Sequence, residues 1–252
     1  MDEYHYVWLI WASAFLVPWL LLWFMSPRDR TIMLRASLMT TALGLTEPFF
    51  VPEYWNPPSL FDFAQRYGFD LESFVFTFAI GGIGVMLYRV LTGWPTLPVG
   101  AAEQRRERHR HHRWALLAAP ALFVPLYALP WNPIYAAIAA LVCGAIAAVA
   151  CRPDLLRNTL VGGALFLAFY TLFMLSLVAF AAGYIARVWR VAELMPVRPA
   201  GIPIEELLFG VSFGAYWSAV YEHLTWQRVA SAAAAGPRHS TADLRPPSGA
   251  SA

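Results

Sequence analysis

Pro203-Ile204-Glu205-Glu206-Leu207-Leu208-Phe209 sets two adjacent carboxylates at the opening of an apolar segment that runs to about Trp226. A weaker copy, Asp70-Leu71-Glu72-Ser73-Phe74-Val75-Phe76, lies 133 positions earlier. An acid at membrane depth is expensive, about 3 kcal/mol on insertion scales, so an acid that persists there marks a functional site by default. The same residues also read as ordinary helix-start chemistry. Proline lacks the donor that a first helical turn would orphan, and glutamate meets the positive end of the helix dipole.

The surrounding composition makes the membrane reading the natural one. The chain is 59% hydrophobic and 13% charged, with a mean hydropathy of +0.50, too apolar for an ordinary soluble domain. Long uncharged runs alternate with short charged clusters, the pattern of a polytopic helical membrane protein. All 18 basic residues are arginine. The acidic N-terminus, Met1-Asp2-Glu3-Tyr4-His5-Tyr6, lacks the basic start of a signal peptide, so the first apolar run reads as a retained anchor. Cys143 and Cys151 lie in or beside one apolar segment, with no CxxC and no histidine at ligand spacing, and read as small buried residues.

Seven segments approach the roughly 20 apolar residues of a spanning helix: about Val7–Met25, Ile32–Pro48, Leu71–Leu91, Trp114–Leu129, Ile134–Cys151, Leu160–Tyr184 and Ile204–Trp226. The fourth is the shortest and is interrupted by Pro120 and Pro125. Arginine placement then orients the chain. Twelve arginines (Arg28, Arg30, Arg105, Arg106, Arg108, Arg110, Arg113, Arg152, Arg157, Arg228, Arg238 and Arg245) fall on one side, against Arg66, Arg187, Arg190 and Arg198 on the other. This predicts an integral cytoplasmic-membrane protein with its N-terminus outside and its C-terminus in the cytoplasm. The Arg105–Arg113 run reads as a juxtamembrane anchor on anionic lipid rather than a metal or nucleic-acid site. The aromatic loops around Trp55 and Trp189 read as an interfacial belt, and Glu222-His223 as interfacial polar chemistry. Arg35, inside an apolar span, reads as snorkelling to the same face. Residues 230–252, Ala-rich then Gly/Pro/Ser-rich, are predicted to be a disordered tail.

The organisation is a duplication. Ser26-Pro27-Arg28-Asp29 is echoed by Arg152-Pro153-Asp154, the two acidic motifs align, and Tyr88 falls on Tyr221. The predicted fold is therefore all-α: one membrane domain over residues 1–229, with a three-helix repeat at about 7–91, a linking helix at about 114–129 and a second repeat at about 134–226. An odd unit followed by one linking helix restores orientation, so the repeats run parallel. Glu72 and Glu205/Glu206 then begin helices at one depth and can face a common cavity.

Glu205 and Phe209 share a helix face at a spacing of four, as do Glu72 and Phe76. Buried paired carboxyls provide a general acid and an acceptor, and the nearby aromatic faces provide surfaces for a developing cation. No phosphate loop, metal cluster or nucleophile–base pair stands out, so the chemistry is proton transfer in an apolar site, with no cofactor and no metal.

The PxEExxF motif at Pro203–Phe209, its degenerate twin at Asp70–Phe76 and the doubled three-helix unit resemble the lycopene cyclase domain proteins of the heterodimeric or tandem-fused kind. The resemblance implies cyclisation of a linear carotenoid end without net redox change. It implies Glu205, Glu206 and Glu72 as catalytic acids and Phe76, Phe209, Trp55 and Trp217 around the substrate. The first motif departs from the pattern, with Asp70 in place of the proline and Ser73 in place of the second glutamate. The partners expected are a carotenoid and the lipid bilayer, not nucleic acid, and a homo-oligomer is compatible with both. The competing readings are a small proton-coupled transporter or lipid-binding protein using the same acids, or a cyclase relative with lost or altered activity. A covalent retinal photoreceptor is excluded, because the chain has no lysine for a Schiff base.

Overall fold

The computed structural model describes residues 4–93 and 96–229; the tail expectation lies outside the described residues. The first run is helical from Val7 to Met25, as α1 (Val7–Ala14) and α2 (Leu16–Met25). A one-turn 3-10 helix then leads into α3 (Arg30–Thr41), which tightens into a 3-10 stretch over Ala42–Phe49. A loop holding the short α4 (Phe63–Tyr67) delivers the chain to α5 (Leu71–Thr92). Asp70 caps α5 by accepting the Ser73 backbone N–H at 2.6 Å, and Gly93 ends it at φ +59°, a left-handed conformation that glycine adopts without strain.

After α6 (Ala101–Gln104), α7 (His112–Tyr127) runs straight through Pro120 and Pro125. The prolines that interrupt the sequence pattern therefore do not end the helix. Asn132 and Pro133 start α8 (Pro133–Cys151) as side-chain cap and first helical residue, with Asn132 Oδ1 accepting from the Ile134 N–H at 3.2 Å. Then come α9 (Leu156–Phe180), α10 (Tyr184–Val188), α11 (Ile204–Trp217) and α12 (Val220–Leu224). Every one of the seven apolar segments is helical, and four reach spanning length: Val7–Met25, Leu71–Thr92, Pro133–Cys151 and Pro153–Phe180. A two-stranded ribbon of β1 (Thr96–Pro98) and β2 (Gln227–Val229) is the small exception to an all-α chain.

Two close helix crossings hold the bundle. On α5, a Cβ added to Gly81 would lie 1.6 Å from Thr40 Oγ1 of α3, and one on Gly82 would lie 2.4 Å from Ser37 Oγ. On α9 and α11, a Cβ at Gly162 would meet Ser218 at 2.4 Å, and one at Gly214 would meet Phe166 Cβ at 2.4 Å. Between lipid-bathed helices there is little hydrophobic drive to associate, so small residues that let backbones approach supply the packing.

At the end of the bundle where α5 and α11 begin, the loops before α4 and after α10 knit together. The Asn56 N–H donates to Val188 O at 2.9 Å and the Arg190 N–H to Tyr54 O at 2.9 Å, with Trp55 and Trp189 bridged. Only part of the aromatic set can face lipid: Tyr54, Tyr184 and Trp189 are buried under the loops, while Phe49 and Phe61 stay exposed. The opposite end is also more buried than its sequence suggests. Glu222 and His223 are fully enclosed, and Glu222 pairs with Arg89 at 2.6 Å. Arg35 is exposed, while Cys143 lies on the outer surface of α8 and only Cys151 is buried.

Candidate active site

Inside the loop-covered end lies a cavity of about 530 Å3, within the range of small-molecule sites. Its wall is built by α3 and its 3-10 extension, α5, α7, α8, α9 and α11, together with the paired loops. Among the described residues, the lining carries two carboxylates, Glu206 and Glu47. The rest is aliphatic and aromatic with a few hydroxyls. Phe76, Phe209, Trp55 and Trp217 are all in the lining, joined by Trp8, Phe213 and Tyr170.

Glu206 sits in the first turn of α11, whose Glu206 N–H bonds Pro203 O at 3.1 Å. Three donors converge on its carboxylate. Tyr170 of α9 donates its hydroxyl to Oε2 at 2.6 Å, Trp189 donates its indole N–H to Oε1 at 2.7 Å, and Tyr54 donates its hydroxyl to Oε1. These come from three separate stretches of chain, so the carboxylate is fixed in position and supplied with donors that favour negative charge. Burial and the neighbouring Glu206 push the Tyr54 hydroxyl well above the ordinary tyrosine value, which keeps it an O–H donor.

Glu47 stands at the cavity wall in the 3-10 stretch after α3, fully surrounded by protein, with its Oε1 lacking a hydrogen-bond partner. In sequence it closes the second apolar segment, Ile32–Pro48, and is not among the candidate acids. The signal was there: a carboxylate inside an apolar segment, the criterion that singled out Glu205 and Glu206. Tyr54, Tyr170 and Trp189 carry no such signal, because what brings them to the site is convergence on Glu206 from 152, 36 and 17 positions away.

Glu205 and Glu72 are buried but absent from the lining. Both tie down a loop. Glu205 Oε1 accepts the Tyr135 hydroxyl at 2.6 Å and the Met195 N–H at 2.8 Å. Glu72 Oε1 accepts the Leu60 N–H at 2.7 Å. The two stand 133 apart, and each holds a backbone N–H a short distance upstream of its own helix.

Residues 132–224 match the family model described as Lycopene cyclase, so this part of the chain is similar to that family. The matched region holds Glu205, Glu206, Tyr170, Trp189, Phe209 and Trp217. No curated protein and no solved structure matches the chain.

Proposed function

We propose that this chain is a membrane-embedded, cofactor-free cyclase that closes the end group of lycopene or a related linear carotenoid. The observation that carries the reading is an apolar, aromatic-lined cavity whose lining holds two carboxylates, one pinned by three donors and the other with an unpartnered oxygen. That arrangement suits a reaction that takes one proton in and lets one proton out.

In this mechanism the Glu47 carboxyl protonates the terminal double bond of the linear end. The carbon left electron-deficient is attacked by the C5=C6 double bond, which forms the ring and moves the positive charge to the ring carbon. Loss of a ring proton regenerates a double bond, so substrate and product are isomers. Glu206, held in position by Tyr54, Tyr170 and Trp189, stabilises the cation and receives the departing proton. The faces of Phe76, Phe209, Phe213 and Trp217 stabilise the same charge without quenching it, as aromatic faces do for cations. Water is kept out by the apolar wall, which protects the cation from capture. Glu205 and Glu72 act one step removed, by holding the loops that cover the cavity.

The same reading includes seven spans in two parallel three-helix units, with the N-terminus outside and the loop-covered, acid-rich end toward the outer face. The arginine bias and the 133-residue offset between the acidic motifs support it. Expression in cells that accumulate lycopene, followed by chromatography and mass measurement of the pigments, tests the activity. Conversion to a ring-ended pigment of unchanged mass is expected; unchanged lycopene beside folded, membrane-inserted protein overturns the proposal.

A further inference from the structure

At the opposite end of the bundle from the cavity, His109, His112 and Cys151 converge from the linker before α7, the first residue of α7 and the last residue of α8. Their ligand atoms all lie within 4.8 Å of one another. Cys151 Sγ is 3.5 Å from His109 Nδ1 and 3.5 Å from His112 Nδ1, across 42 and 39 residues of sequence. That separation is the edge of a tetrahedron. With Zn–S near 2.3 Å and Zn–N near 2.0–2.1 Å, two ligands on one ion stand roughly 3.5 Å apart.

The outward-facing ring nitrogens add an independent observation. His112 Nε2 is 3.0 Å from the backbone carbonyl of His223, and His109 Nε2 is 3.5 Å from Glu103 Oε1. Ligating histidines commonly present the second nitrogen to a carbonyl or carboxylate in this way, as His112 does to the His223 carbonyl, whereas His109 Nε2 faces Glu103 and also accepts the Arg108 Nε–H at 3.3 Å. The neighbouring cations are already paired. Arg152 makes two bonds to Asp154, at 2.8 and 2.6 Å, and Arg108, whose Nε lies 3.3 Å from His109 Nε2, is bonded to Glu103. Trp226 stacks on His112 at 3.9 Å and meets His109 edge-on at 5.1 Å, closing the site on one side.

We propose that His109 Nδ1, His112 Nδ1 and Cys151 Sγ form a binding site for a zinc-class divalent cation, with solvent as fourth donor. Two imidazoles and a thiolate suit this class of ion and not magnesium or calcium, which prefer oxygen. Binding releases the thiol proton to solvent and leaves a sulfur–metal bond, with no change of oxidation state. The ion staples the arginine-rich linker to the end of α8, fixing α7 against the second half of the chain.

Cobalt(II) titration of the untagged full chain in detergent micelles, stripped of metal, tests this without reference to cyclisation. One equivalent is expected to bind and give a thiolate-to-cobalt absorption band, which one equivalent of zinc then bleaches. The band is expected to vanish in Cys151→Ser and to persist in Cys143→Ser and in Glu206→Gln. Glu103→Gln is expected to weaken binding by about tenfold. A wild-type protein without the thiolate band, or a band that survives Cys151→Ser, overturns the site. Should Cys151→Ser fail to fold, alkylation of the wild-type thiols decides. Zinc is expected to slow modification of Cys151 at least severalfold and leave Cys143 unchanged, and equal rates with and without zinc refute the proposal.

Discussion

Glu206 takes three hydrogen bonds from two hydroxyls and an indole, and this sets what its removal should do. Glu206→Gln keeps the shape but exchanges a carboxyl for an amide that cannot take a proton. Turnover in a lycopene-accumulating host or in vesicles is expected to fall by about 10²–10⁴, the span of general acid–base catalysis, with Glu47→Gln falling in the same range. Tyr170→Phe removes one charge-assisted donor, worth roughly 1.5–3 kcal/mol, so a loss of about 10–100-fold is expected. Glu205→Gln should behave differently, lowering thermal stability more than turnover, because its partners are Tyr135 and the Met195 N–H rather than the cavity. If Glu205→Gln abolishes turnover in a protein of unchanged stability, the two glutamates have been assigned the wrong way round. The Pro203–Phe209 motif was legible as a site because buried acids stand out against apolar sequence. Which of its acids faces the cavity was not, since adjacent helical residues differ in direction by about 100° and only the packed neighbours decide which direction is inside.

Between elements, the informative contact is the one that closes the far end of the bundle. Arg89 of α5 and Glu222 of α12 stand 133 apart, the offset of the acidic motifs, and pair at 2.6 Å, with Arg89 also reaching Asp29 at 2.7 Å. Burying both charges brings little net stability, but leaving one without the other is severe, about 3–5 kcal/mol. Arg89→Met and Glu222→Met are each expected to destabilise the protein by that order in thermal or denaturant unfolding. The Arg89→Met/Glu222→Met pair is expected to recover much of the loss. Additive losses in the double variant would show that the two side chains do not act as a unit. The helices were readable from hydropathy, and even the proline-bearing α7 forms where its apolar run lies. Their partners were not. Glu222-His223 reads as interfacial on a helix considered alone and is buried because α5 brings an arginine to it. His109 and His112 read as part of a lipid anchor, yet turn inward because α8 ends beside them.

At the scale of the whole molecule, the question is how a long apolar substrate reaches a cavity roofed by two interlocked loops. The side of the bundle answers it. Met39 of α3, Leu43 of the 3-10 stretch and Val124 of α7 line the cavity and are also 43%, 42% and 70% exposed on the outer surface. They mark a mouth between the third and seventh helices, facing where lipid lies around a spanning bundle. Hydropathy shows that these residues are apolar but not that they flank an opening, because the gap exists only once α7 has packed against Phe49 and Phe50 through Phe123. Under the proposed function, a substrate entering there would slide its end group inward toward Glu47 and Glu206 while the rest of the polyene stayed among the lipid chains. The loops then need not open, and bulk at the mouth should act on access rather than on the chemical step. Leu43→Trp/Val124→Trp is expected to lower kcat/KM for vesicle-dissolved lycopene by about tenfold, equivalent to about 1.4 kcal/mol, with kcat changed little. Leu172→Trp, an equally exposed change on α9 outside the lining, is expected to leave both constants unaltered. If kcat falls with kcat/KM while folding is intact, the widened side chains are disturbing the reacting end and the substrate does not enter between α3 and α7.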